Sequence, residues 1–265
     1  MSLVPVLLTA DLEGGVRLLT LNRPKSNAFN LELMQAVSAA VKDAERDAGV
    51  RALVLRGAGP VFSAGLDFEA MARAQAQGGQ EFDEFYQSIG QVFIDLWTCP
   101  KPTVAAVTGH AIAAGFFAML ACDFRYVIEG SGRYGMNELA FGGGFSKIVI
   151  ELGRYRLQRH MAPMIQGTEL IGWQEGLRTG CFNASHSSEE ALLAAATVQA
   201  KKIGAMPQAA YAHVKAQLVA PYVDLALADA DENRRRSAAI FSDEESLRAM
   251  TLQMAQVLKV PARTS

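Results

Sequence analysis

The chain has 265 residues, of which 50% are apolar and 20% charged, and it carries a formal charge of −2. At roughly 150 residues per domain, that allows one large domain or two small ones around a sizeable apolar core. It excludes a global basic field for nucleic acid or an anionic membrane, so an acidic ligand would need a local basic patch.

The first residues lack the basic region of a signal peptide, and the last four, ARTS, are no peroxisomal address. A cytoplasmic setting is expected. The three cysteines, Cys99, Cys122 and Cys181, are too few and too scattered for a disulfide framework or a zinc cage, so no metal site is expected. Cys99 and Cys122 lie in apolar surroundings and read as buried thiols, while Cys181 and His186 read as structural or surface residues.

Residues 4–9 and 16–21 are apolar runs around Asp11-Leu-Glu-Gly-Gly15, the pattern of a β-hairpin. Asn30 is placed to cap a helix running to about Asp47, with Leu31, Met34, Val37, Val41 and Ala44 on one face. Ala52-Leu-Val-Leu55 reads as a buried strand and is followed by a Gly-rich loop over 57–67. Residues 68–80, low in complexity, read as a mobile loop or frayed helix, and 81–97 have helical periodicity. Thr103 to Cys122 is long and apolar enough to span a bilayer. Gly109, the small residues and Pro100 and Pro102 favour a buried strand over 104–107, a turn and a helix over 113–121. Phe124-Arg-Tyr-Val-Ile128 is a further strand, and helices dominate from 145. Ser187 or Ser188 caps a helix ending at Gly204, Pro207 opens another, and helices over 222–239 and 243–258 complete the chain. Strands and helices alternate early and helices take over late, which indicates an α/β core over 1–204 and a helical region over 205–265.

Two glycine-rich segments share one physical theme. In Phe62-Ser-Ala-Gly-Leu-Asp67, Gly65 lets the backbone bend sharply and turn its amides toward a ligand. Gly109-His-Ala-Ile-Ala-Ala-Gly-Phe-Phe117 leads from a strand into a helix N-terminus, whose unpaired N–H groups suit a developing anion. Taken in order, Leu21-Asn-Arg-Pro-Lys-Ser-Asn-Ala28, Val61-Phe-Ser-Ala-Gly-Leu-Asp67, Gly109-His-Ala-Ile-Ala-Ala-Gly115 and Cys122-Asp123 resemble the crotonase (enoyl-CoA hydratase/isomerase) superfamily.

The resemblance implies an α/β fold of repeated ββα turns forming a spiral core, with a C-terminal helical region that assembles homotrimers or dimers of trimers. It implies an acyl-CoA thioester substrate, with no separate cofactor because coenzyme A is part of that substrate. Nucleic-acid and membrane partners are not expected. The thioester oxygen would sit between the N–H groups of Leu66 and Ala114. Lys25, and less so Arg23, would meet coenzyme A phosphates, and Ala28, Ala64, Leu66, Asp67 and Phe68 would line the path of the carrier. Asp67 fits fixing the loop better than acting as a second acid. His110 fits packing or an internal hydrogen bond. Arg234-Arg-Arg236 is a solvated helix face or reaches a phosphate across a subunit contact.

Hydratases of the superfamily use two glutamates. Phe117 stands where one would be, and Glu138 stands where the other is. One base and an oxyanion hole suffice for a 1,3-proton shift, so the expected reaction is conversion of a 3-enoyl-CoA to a 2-enoyl-CoA. Val61–Asp67, the Asn137-Glu138 pair and the stretch Phe241-Ser-Asp-Glu-Glu-Ser246 resemble monofunctional Δ3,Δ2-enoyl-CoA isomerases. Ser146, near the place of a further carboxylate in dienoyl-CoA isomerases, argues against that branch. The run Phe141-Gly-Gly-Gly-Phe145 departs from the family pattern beside the acyl pocket. The alternatives are another crotonase-type reaction (a thioester hydrolase, a decarboxylase or a weak hydratase) and a non-catalytic acyl-CoA binder.

Overall fold

The computed structural model describes residues 4–240 and 243–259. Phe241 and Ser242, and the side chain of Arg234, lie outside the described residues. The antiparallel pair β1 (Leu7–Leu12) and β2 (Val16–Leu21) opens the chain, followed by α1 (Leu31–Arg46). Asn30 Oδ1 accepts the Leu33 N–H at 3.0 Å, the cap expected from its position.

Three ββα units follow. The first is β3 (Ala52–Gly57), β4 (Val61–Ser63), α2 (Phe68–Gln77) and α3 (Gly79–Thr98). The second is β5 (Thr103–Val107), β6 (His110–Ile112) and α4 (Ala114–Ala121). The third is β7 (Phe124–Ile128), β8 (Tyr134–Gly135), a 3-10 turn at Glu138–Phe141 and α5 (Lys147–Leu157). Each unit sends its first strand to a six-stranded sheet ordered β1-β2-β3-β5-β7-β9 and its second to a three-stranded sheet ordered β4-β6-β8. The chain therefore winds as a spiral between two sheets, with parallel pairing from β2 onward. Next come α6 (Met161–Gly167), α7 (Trp173–Arg178), β9 (Ala184–His186) and α8 (Glu189–Gly204), and then α9 (Gln208–Leu227), α10 (Ala230–Ile240) and α11 (Glu244–Lys259).

The large sheet is covered on both faces. Leu53 and Leu55 enter the main core with α1, α3 and α4, while Ala52 and Val54 pack with Leu192, Ala196 and Ala200 of α8. Burial on both faces explains why these strands read as continuous apolar runs rather than alternating ones. The apolar stretch from Thr103 to Cys122 becomes β5, β6 and α4, and among the described residues no helix is long and apolar enough to cross a membrane. All three cysteines are buried.

Residues 68–77 form a helix, one of the two forms expected for this segment: Asp67 Oδ1 caps it through the Ala70 N–H at 2.9 Å, and Met71 and Ala74 anchor it in the core. One expectation is corrected. The helix from Gln208 runs through Pro221 to Leu227 instead of yielding to a new helix at 222. Val219 is buried before the proline, and after it Tyr222 packs on Tyr155 of α5 with ring centres 5.2 Å apart. Packing on both sides outweighs the lost hydrogen bond.

Candidate active site

The first glycine-rich segment is held by a buried asparagine. Asn27, with φ 49° in the left-handed region that asparagine tolerates, donates from Nδ2 to Val61 O at 2.8 Å and to Ala58 O at 3.0 Å. Ser63 Oγ donates to Asn27 O at 2.8 Å and accepts the Gly65 N–H at 3.2 Å. Phe29 N donates to Gly65 O at 2.7 Å, and Asp67 N donates to Phe29 O at 2.9 Å. Because Gly65 and Asp67 make both bonds of this parallel bridge, the Leu66 N–H between them points the other way.

The second segment meets it directly. Ala113 N donates to Gly135 O at 2.9 Å, and Ala114 is the first residue of α4, so its N–H is one of the orphan donors of a helix start. Gly65 has φ 106°, and a Cβ there would lie 2.9 Å from Ala113 Cβ and 3.6 Å from Ala114 N. A Cβ on Gly115 would run into Ser63 O. The two glycines thus let the loop that carries Leu66 pack closely against the start of α4.

Every residue nominated from the sequence, Lys25, Ala28, Ala64, Leu66, Asp67, Phe68, Ala114 and Glu138, lines a single cavity of about 1470 Å³. Three carboxylates border it, and they differ. Asp67 is committed to the cap of α2 and to Arg23, which also donates to Ala28 O at 3.1 Å. Glu69 is exposed. Glu138 has a buried Oε2 with no hydrogen-bond partner among the described residues. Burial pushes its carboxyl up to about 7, against the backbone N–H groups of residues 137 and 138, which favour the charged form. Lys25 is exposed at the same cavity and has no ion-pair partner among the described residues, whereas Arg23 is engaged.

Phe117 is buried between the rings of Phe93, Phe116 and Phe145, with centres 6.0–6.2 Å away. His110 lies apart, in a small hollow of about 380 Å³, and its Nδ1 accepts the Arg133 N–H at 3.2 Å. Arg235 and Arg236 pair with Glu232 at 3.0 and 2.8 Å on an exposed helix face. Sequence reasoning quoted Asn27 and Ser63 within motifs and gave them no role; a polar pair flanking a Gly-rich turn was the available signal. It placed neither the cavity wall from α3, including Phe93, nor the buried Ser146 Oγ, which has no hydrogen-bond partner among the described residues.

A family model described as enoyl-CoA hydratase/isomerase matches residues 11–256. A putative enoyl-CoA hydratase from Thermus thermophilus is 39% identical over 172 residues, covering 64% of this chain and 68% of that protein. A probable enoyl-CoA hydratase from Rhizobium meliloti is 28% identical over 260 residues, covering 94% and 95%. Among solved structures, the human mitochondrial delta3-delta2-enoyl-CoA isomerase aligns with a TM-score of 0.89 at 20% identity, covering 96% of this chain and 98% of that one. An enoyl-CoA hydratase/isomerase from Xanthobacter autotrophicus Py2 aligns with a TM-score of 0.82 at 28% identity, covering 97% and 99%. These sequence relatives carry hydratase names and the isomerase enters through its fold, so the choice of reaction rests on the residues of the site.

Proposed function

Since the chain belongs to the enoyl-CoA hydratase/isomerase (crotonase) superfamily, we propose that it moves the double bond of a 3-enoyl-CoA to the 2-position with Glu138 as the single base. The observation that carries this reading is the pairing of Phe117 with Glu138. An apolar ring fills the place of one hydratase glutamate, and the other carboxylate has a buried, unpartnered oxygen in the cavity.

The steps follow from that pairing. The thioester oxygen accepts the Leu66 and Ala114 N–H groups, which favour the enolate over the carbonyl, each donor contributing about 10²–10³ in rate. Glu138 takes a proton from C2, the double bond shifts from C3–C4 to C2–C3, and the protonated carboxyl returns the proton to C4. A base that titrates near neutrality suits both halves of this exchange. Phe117, Phe141 and Phe145 line the cavity with Glu138 and would keep water from the carboxyl while it holds the proton. Lys25, without an ion-pair partner among the described residues, offers its cation to the phosphates of the carrier. The resemblance also implies trimers or dimers of trimers, and exposed Val214, Leu218 and Leu225 on one face of α9 supply apolar surface for such a contact.

The hydratase names of the relatives favour a second reading, in which Glu138 alone adds water to a 2-enoyl-CoA. One experiment separates the two. Wild type and Glu138→Gln are given a medium-chain 3-enoyl-CoA, and the absorbance of the conjugated thioester is followed. Isomerisation makes it rise in wild type only, with binding retained in the variant. Loss of absorbance from added 2-enoyl-CoA would establish the hydratase. No turnover despite tight acyl-CoA binding would refute both, and assay of free thiol would then test for thioester hydrolysis.

A further inference from the structure

The run Gly142-Gly143-Gly144 joins the turn that carries Glu138 to α5, and the C-terminal helices lie against it. Each glycine faces something different. A Cβ on Gly143 would lie 2.8 Å from Glu138 Cβ and 3.0 Å from Glu138 O. The Gly143 N–H already donates to that oxygen at 2.7 Å, so the two backbones cannot separate without breaking this bond. Gly142 closes the turn in the left-handed region with φ 78°, and a Cβ there would lie 2.5 Å from Ser246 Cα in α11. At Gly144 the nearest atom is Ile240 Cδ1 at 2.8 Å, the end of a flexible side chain that can swing aside.

We infer that Gly143 is a positioning residue for Glu138, setting where its carboxylate enters the cavity, while Gly142 seats α11 on the same turn. This rests on the reading of Glu138 as the base. A methyl at Gly143 meets the root of the Glu138 side chain, and a shift of a few tenths of an ångström there is carried outward to the carboxylate. Misplacement of about 1 Å costs on the order of 10²-fold in rate. Gly143 lines the cavity, but its added methyl would point at the Glu138 Cβ and carbonyl, so binding should be largely spared.

The test compares Gly143→Ala with Gly167→Ala, a glycine outside the cavity where a Cβ would meet nothing within 4 Å, in two assays. The first is exchange of the C2 protons of octanoyl-CoA in heavy water, which reports base and oxyanion hole without requiring isomerisation. The second is the ionisation of Glu138, read from the carboxyl infrared band that Glu138→Gln removes. For Gly143→Ala we expect exchange to fall about 10- to 100-fold. Octanoyl-CoA affinity should stay within about threefold, and the infrared midpoint should fall toward the ordinary carboxylate range. Gly167→Ala should stay within about threefold of wild type throughout. Wild-type exchange and midpoint in Gly143→Ala would overturn the inference, as would an unmoved midpoint in a variant that merely melts earlier. If Gly143→Ala folds poorly, adding Glu138→Gly removes the opposing Cβ and should restore part of the lost melting temperature; no recovery would equally overturn it. Wild type that exchanges C2 protons but never isomerises would refute the isomerase while leaving the role of Gly143 measurable.

Discussion

Lys215 Nζ on α9 lies 2.7 Å from Asp123 Oδ2, at the junction of α4 and β7, and the lysine side chain is only 6% exposed. Tyr211 OH donates to the same oxygen at 2.9 Å and the Thr103 N–H at 3.1 Å, while Arg156 Nη2 is 3.4 Å from Oδ1. This cluster ties the helical C-terminal region to the centre of the spiral. Burial alone would raise the Asp123 carboxyl, but the charges of Lys215 and Arg156 outweigh it and hold the group below its usual range. Removing one partner leaves the others buried and uncompensated, so Lys215→Met should destabilise the fold by about 3–5 kcal/mol in urea melts at neutral pH. The lowered folded value fixes the sign of the pH dependence. The contribution is complete above the unfolded carboxylate value and is lost as pH falls through the folded one. Asp123→Asn should therefore flatten the acid side of the stability profile, and a profile identical to wild type would contradict the assignment.

Glu138 gives the opposite sign. Its carboxyl is raised to about 7 by burial, and the base must be ionised to take a proton. The kcat/KM of isomerisation should rise as pH passes through about 7 and level off above it. The same shift opposes folding, because ionisation is easier in the unfolded chain. Stability should therefore decline between the ordinary glutamate value and about 7, and Glu138→Gln should remove that decline, gaining up to roughly 3 kcal/mol at pH 8. A rate that is flat across this window would show that another group carries the proton.

Gly65→Ala tests the oxyanion pair without touching either donor. The added methyl meets Ala113 Cβ at 2.9 Å and Ile112 O at 3.2 Å, in a backbone conformation with φ 106° that alanine rarely adopts. The strands beneath are fixed, so the loops must part and the Leu66 and Ala114 amides must diverge. Turnover should fall about 10²-fold or more, with a loss of about 1–3 kcal/mol in stability. Activity within threefold of wild type would mean that the amides are not acting together.

The sequence disclosed those parts of the molecule whose physics is local. Asn30 and Ser188 cap the helices their positions indicate, with Ser188 Oγ accepting the Ala191 N–H at 3.1 Å, and the buried strands β3 and β5 are visible as apolar runs. The strands β4, β6, β8 and β9 have two or three residues each and exist through pairing with distant segments, so no local pattern marks them. The helix over 68–77 has only two large apolar side chains, Phe68 and Met71, and its cap doubles as the partner of Arg23. Glu138, Leu66 and Ala114 were nominated through motif order. That Gly142 backs onto α11 depends on a contact across about a hundred residues, which spacing along the chain does not encode, and that Gly143 backs onto Glu138 five residues away depends on the tight turn between them.

Phe117→Glu is the substitution that would supply a second carboxylate if the hydratase pattern needed only that residue. The surroundings argue otherwise. Phe117 is 2% exposed, and Phe93, Phe116 and Phe145 surround its ring with no polar partner for a carboxylate among them. A glutamate there would remain protonated and would also empty part of the aromatic cluster, so the expected loss is about 3–5 kcal/mol of stability. Hydration of a 2-enoyl-CoA should not appear, because a group that stays neutral cannot activate water. Isomerisation should fall as well, since a polar side chain draws water toward Glu138 and lowers its proton affinity. A folded Phe117→Glu protein that hydrates 2-enoyl-CoA efficiently would show that the cavity already holds the rest of a hydratase site, and the aromatic ring would then be the only barrier between the two reactions.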